Sequence, residues 1–222
     1  MDEKYHPFNL ANCLRALYWS DIFSRIQKKD YNTVIECGVG RGRSLIAILG
    51  CLFWQKLNFK IPKITVYALD SFKGFPKPTN FDKSKRKPKK GDWAFSPSKK
   101  YKYSKQFLNQ VLLRAGLQKL VKTTKIISGF FDRSLATLPT NLKIGVLHLD
   151  ADLYLSTKIP LEKLSSMIVR GGVIVFDDFM LKNKSNKEKF PGSRKAFKDF
   201  ALKNPNFYIE CTVRGNPLLI KK

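Results

Sequence analysis

Four short apolar runs in this chain end at acidic residues, and a helical pattern separates each run from the next. The runs are Thr33–Cys37 with Glu36, Ile64–Asp70, Lys143–Leu149 followed by Asp150, and Gly172–Phe176 followed by Asp177 and Asp178. Strands that alternate with helices specify a mostly parallel sheet covered on both faces. Ligands of such sheets bind beyond the carboxyl ends of the strands. The chain holds only 17 acids against 42 Lys and Arg, so acids collected at strand ends mark a site. Thr123–Ser128 is a further strand candidate. The spans 206–213 and 217–221 read as a closing hairpin around Gly215-Asn216, which makes seven strands with one antiparallel addition. Helical patterns fall at 44–54, 104–116, 155–168 and 192–203. A leading amphipathic helix is expected over 9–27, with Leu10, Leu14, Leu17, Ile22 and Ile26 along its apolar side.

With 222 residues and 43% apolar content, the chain suits one α/β domain with its own core. That single domain is read with an N-terminal helical segment, 1–30, and a separate loop, 76–105. The loop holds Pro76, Pro78, Pro88 and Pro97, and residues 83–105 carry ten Lys or Arg against Asp92 alone. It reads either as a solvated charge run or as a basic lid over the site. The four cysteines have no Cys-x-x-Cys spacing, and His6 and His148 complete no zinc pattern. The longest apolar run, Leu45–Trp54, is half of the roughly 20 residues that a membrane span needs. The start Met1-Asp2-Glu3-Lys4 lacks the basic and apolar segments of a secretion signal, so a cytoplasmic location is expected.

Glu36-Cys37-Gly38-Val39-Gly40-Arg41-Gly42 follows a strand and opens a helix. Glycines turn the chain tightly and let a ligand approach the backbone. Position 43 is Arg43, so the spacing departs from the Gly-x-Gly-x-x-Gly of dinucleotide sites. An acid two residues before the first glycine suits a ligand with a positive amino acid part. S-adenosylmethionine (SAM) is such a ligand, and Asp70 can take its ribose hydroxyls. Asp150, Asp152, Asp177 and Asp178 fall on one rim if their strands are neighbours. Like charges that close repel unless a cation neutralises them. Oxygen-only ligands favour a hard ion such as Mg²⁺. His148 reads as a packed core residue.

Several blocks together resemble the macrocin O-methyltransferase (TylF/MycF) family. They are Glu36 to Gly42, Asp70-Ser-Phe-Lys-Gly-Phe-Pro76, Ser128 to Leu135, Leu149-Asp-Ala-Asp-Leu-Tyr-Leu-Ser-Thr157, and Gly171 to Phe179. The similarity runs from about residue 30 to 200. It implies a Rossmann-like class I SAM-dependent methyltransferase fold and Mg²⁺-dependent O-methylation, typically of a sugar hydroxyl. By position it implies Asp150, Asp177 and Asp178 as metal ligands and Asp152 as general base. The donor-binding set is then Glu36, Gly38, Gly40, Gly42, Ser44, Asp70, Ser71, Ser128, Gly129, Phe130 and Asp150, with 128–130 beside the adenine. Phe179 stands where the family often has tyrosine.

The expected partner is a small hydroxylated acceptor, a sugar first. A catechol-type phenol is an alternative acceptor. Nucleic acid is a third reading, prompted by the net charge of +25 and by Trp93, Tyr101 and Tyr103 among the lysines. Against it, an Asn/Asp-Pro-Pro-Tyr motif is absent after the fourth strand. The oligomeric state stays open, a homo-oligomer included.

Overall fold

The computed structural model describes residues 10–26, 30–58, 63–182 and 189–222. His6 and the outer parts of the N-terminal segment lie outside the described residues. The strands are β1 (Thr33–Cys37), β2 (Thr65–Asp70), β3 (Thr124–Ser128), β4 (Ile144–Leu149), β5 (Ile168–Phe176), β6 (Phe207–Cys211) and β7 (Pro217–Lys221). They form one sheet in the order β3-β2-β1-β4-β5-β7-β6. The first five run parallel, and β7 is antiparallel to both of its neighbours. The chain order reverses between β1 and β4, and this is where a doubly wound sheet opens a crevice.

The helices are α1 (Leu10–Ser24), α2 (Arg43–Asn58), α3 (Lys105–Arg114), α4 (Gln118–Val121), α5 (Phe131–Ser134), α6 (Tyr154–Leu164) and α7 (Pro191–Lys203). Strand side chains alternate between faces. Val34 and Val146 point to the side covered by α1, α2 and α3, and Ile35, Leu147 and Leu149 point to the side of α6 and α7. Both faces are therefore dry, and β1 and β4 are buried along their whole length. The same alternation turns Glu36 and His148 toward the α1 side, where they are register partners.

Three expectations change. The leading helix buries Tyr18, Trp19, Ile22 and Phe23, whereas Leu10, Leu14 and Leu17 are 71%, 55% and 67% exposed. Two apolar stripes compete on this helix, and the aromatic one removes more apolar area from water. The fifth strand starts at Ile168 rather than 172, with a register shift against β4 and a left-handed Gly171. The helix before it stops at Leu164 and closes in a 3₁₀ turn over Ser165–Met167.

The 76–105 loop is pinned, which the solvated reading did not anticipate. Asp82 Oδ2 accepts the Thr79 N–H and hydroxyl, and its Oδ1 accepts the Tyr154 N–H at 2.7 Å, satisfying a donor in the first turn of α6. The start of the loop is tied to its middle: Phe75 N–H donates to Asp92 O and Gly91 N–H to Phe75 O. Arg86 pairs with Asp92 and lies against the rings of Phe75, Trp93 and Phe190.

Candidate functional site

A cavity of about 540 Å³ opens at the carboxyl ends of β1, β2, β4 and β5. Its size is that of a small-molecule site. Its wall includes Glu36, Gly38, Gly40, Ser44, Asp70, Ser71, Gly129, Phe130, Asp150, Asp152 and Asp177. Gly42, Ser128 and Asp178 are absent from that wall. Gly42 is a turn residue at φ +82°, and a Cβ there would meet Leu108 of α3. Ser128 ends β3 on an exposed position, opposite Asp70 in register. Asp178 sits behind Asp152.

Asp70 ends β2 with its carboxylate fixed by two backbone donors, Gly40 N–H at 2.8 Å and Phe72 N–H at 2.7 Å. Burial raises its pKa and these bonds oppose the rise. Glu36 is 1% exposed. Its Oε1 lies 3.3 Å from His148 Nδ1, and Trp19 of α1 packs edge-on to the imidazole at 4.8 Å. His148 is thus in the core, as expected, and it also holds the first acid of the site. Burial pushes Glu36 up despite His148, and Glu36 in turn holds His148 above its ordinary value against burial. Glu36 Oε2 is buried without a hydrogen-bond partner among the described residues. An orphaned carboxylate oxygen on a cavity wall calls for a donor from a ligand.

At the other end of the cavity, Asp150, Asp152 and Asp178 each offer an oxygen, all within 4.8 Å of one another. The turn after β4 puts Asp152 at φ +60°, and its N–H donates to Asp178 Oδ2 at 2.9 Å. Asp178 also bonds Ser193 of α7. Burial and then the charges of Asp177 and Asp178 hold Asp150 well above the ordinary carboxylate range. Burial and the charge of Asp150 push Asp152 to about 8. Burial and the charge of Asp152 raise Asp178. Asp177 lines the cavity, but its carboxylate turns to Arg214 at 3.5 Å, so the trio brought together contains Asp152 in its place. Phe179 is buried against Phe176 and Phe197 and reaches no ligand space.

A metal-free cluster of this kind has a thermal signature. An acid with a raised folded pKa lends stability below its unfolded pKa and loses it as pH climbs through the folded value. For Asp152 that loss runs from its ordinary 3.8 to about 8. Mg²⁺ should therefore raise the melting temperature more at about pH 8 than at about pH 5, where protons occupy the oxygens. Equal shifts at both, or none at the higher pH, would count against a cation site.

Residues missed by sequence reasoning also line the cavity. Arg15 reaches it from α1, Trp93 and Tyr103 from the basic loop, and Leu155, Ser156 and Ile159 from α6. Tyr103 is buried, whereas Tyr101 points outward and packs on Phe107. Two of the three loop aromatics singled out in the sequence, Trp93 and Tyr103, thus face the cavity. No described helix is long and apolar enough to cross a membrane.

The model of the macrocin-O-methyltransferase (TylF) family matches residues 17–204. No curated protein sequence matches the chain. Among solved structures, the calicheamicin methyltransferase CalS11 aligns over 96% of this chain and 80% of its own, with a TM-score of 0.74 and 19% identity. The apo form of CalS11, described as a TDP-rhamnose 3′-O-methyltransferase, gives 0.62 and 18%, over 96% and 80%. The O-methyltransferase NovP gives 0.69 and 21%, over 96% and 79%. At these identities the likeness is one of fold.

Proposed function

The chain belongs to the macrocin O-methyltransferase family, and from that premise we propose that it methylates a hydroxyl of a sugar or glycosylated small molecule, with SAM as donor and Mg²⁺ as the resident ion. One observation carries the reading. The orphaned Glu36 oxygen and the fixed Asp70 carboxylate share a cavity with Asp150 and Asp152, whose oxygens gather with that of Asp178 just behind the wall. The sugar preference leans on the TDP-rhamnose description of CalS11.

Both groups fit the residues present. SAM supplies a methyl group on a positively charged sulfur. Glu36 Oε2, unpaired, would accept from its ammonium, and Asp70, held by Gly40 and Phe72, would accept from its ribose hydroxyls. Phe130 and Gly129 bound the space beyond Asp70, where the adenine would lie. At the cluster, Asp150, Asp178 and Asp177 would hold the ion, with Asp177 exchanging Arg214 for it. A divalent cation there supplies charge that neutralises the carboxylates and acidifies a nearby hydroxyl. Asp152 accepts the proton of the acceptor hydroxyl as general base. With donor and acceptor held in one cavity, proximity would supply much of the rate. Trp93, Tyr103 and Leu155 wall the side from which an acceptor enters.

The reading is tested by calorimetry with SAM and by methyl transfer to nucleotide sugars, glycosylated polyketides and simple glycosides. Binding of SAM, and turnover that EDTA abolishes and Mg²⁺ restores, is the expected result. An absence of heat with SAM defeats the donor assignment, and turnover unaffected by EDTA defeats the ion.

A further inference from the structure

We propose that Arg15 of α1 is a donor-binding residue: it takes the carboxylate of SAM's amino acid part while Glu36 takes the ammonium. The inference rests on the donor reading above and assigns a residue to it from a different element.

Arg15 reaches the cavity wall from a helix that precedes the first strand. Its Nη1 is buried and has no hydrogen-bond partner among the described residues. A buried guanidinium donor left unpaired is costly, so a ligand acceptor is the economical explanation. The acids nearest in charge, Asp177 and Asp150, attract it, but no bond to either forms, and Asp177 is engaged by Arg214. Arg41 of the glycine loop lies close enough to repel it. The space between Arg15 and the glycine loop therefore favours an anion.

Across the same cavity stands Glu36 with its own orphaned oxygen. Gly38 and Gly40 lie on the wall with them, and both are at positive φ. An unpaired acid and an unpaired guanidinium on one cavity wall form a complement to an α-amino acid zwitterion. Guanidinium and carboxylate match as planar groups and bond more strongly than neutral pairs. An anionic acceptor, such as a sugar phosphate, would use the arginine without needing Glu36, and it leaves the carboxylate end of the donor without a partner.

The test uses S-adenosylhomocysteine, its decarboxylated analogue, which keeps the ammonium, and methylthioadenosine, which lacks the amino acid part. Each is titrated calorimetrically into the wild-type protein and into Arg15→Met and Arg15→Lys. In the wild type, removing the carboxylate should weaken binding about 10- to 100-fold. Arg15→Met should weaken S-adenosylhomocysteine by a similar factor and leave the decarboxylated analogue and methylthioadenosine unchanged. Arg15→Lys should recover part of the loss. The ligand comparison in the wild type does not depend on any variant folding. Equal losses for all three ligands in Arg15→Met, or unchanged S-adenosylhomocysteine binding with a raised KM for the acceptor, overturns the assignment. A wild type that binds none of the three defeats the donor reading itself, an outcome distinct from either.

Discussion

Replacing Asp152 by asparagine is expected to lower turnover by about 10²- to 10⁴-fold, the usual contribution of a positioned general base. Asparagine keeps the size of the side chain and tolerates the left-handed φ of +60° found there. The bond from the Asp152 backbone N–H to Asp178 survives the change, and the amide can donate where the side chains of the two aspartates meet. Donor affinity should therefore stay within a few-fold, and the melting temperature should hold or rise, because a crowded acid is removed. The wild-type rate should also climb with pH. Without a cation Asp152 holds its proton to about 8, so the base form gains population as pH rises toward that value. With Mg²⁺ bound, as turnover requires, the rise should centre below about 8, since the cation favours the charged carboxylate. An Asp152→Asn protein that turns over at close to the wild-type rate would remove the base role. One that loses donor affinity as steeply as turnover would assign Asp152 to binding.

Gly38→Ala should damage the protein more than any other single methyl addition in the glycine loop. Gly38 sits at φ +92°, and a Cβ built there lies 1.8 Å from the carbonyl oxygen of Asp150 and 2.7 Å from its carbon. The obstacle is backbone and cannot rotate away. β1 and β4 must separate at the switch point, which disturbs Glu36 and Asp150 together. The expected loss exceeds about 3 kcal/mol, which for a chain this long lowers the melting temperature by roughly 10 °C. Donor binding should vanish with it. Gly40→Ala is the control: φ is +52° and nothing lies within 4 Å of the added Cβ. Its cost should be the left-handed strain alone, about 1–2 kcal/mol. Equal melting temperatures for the two variants would show that the ends of β1 and β4 yield easily and that the tight approach is unimportant.

The sheet was legible because strand ends, glycines and acids are local signals. Glu36, Asp70, Asp150 and Asp177 each announce themselves beside an apolar run, and the parallel order follows from alternation with helices. Long-range pairing was less legible. His148 carries no mark in sequence of its bond to Glu36, although register on neighbouring parallel strands produces it. Arg15 lies in a helix whose apolar stripes compete, and the choice of the aromatic stripe is what aims it at the cavity. Gly42 reads as part of a ligand loop, yet its contact is with Leu108, some 66 positions on (108 − 42). Asp82 was overlooked because it stands beside a lysine run, and its partner is the N–H of Tyr154. The four aspartates 150, 152, 177 and 178 read as one cluster, but which of them turns aside depends on Arg214, a residue near the far end of the chain.

Gly192 at the start of α7 has no room for a side chain: a Cβ there would meet Asp82 Oδ1 at 1.9 Å and the Tyr154 nitrogen at 2.6 Å. Three segments distant in sequence are thereby welded at one corner, two residues beyond Asp152. Between that corner and Gly91, the lysine-rich span is held by Ser84, which donates to the Lys189 carbonyl, and by Arg86, which pairs with Asp92 and packs on Phe75, Trp93 and Phe190. Substitutions of the lysines in the span can therefore change the charge of this surface without disturbing the corner that fixes the first turn of α6.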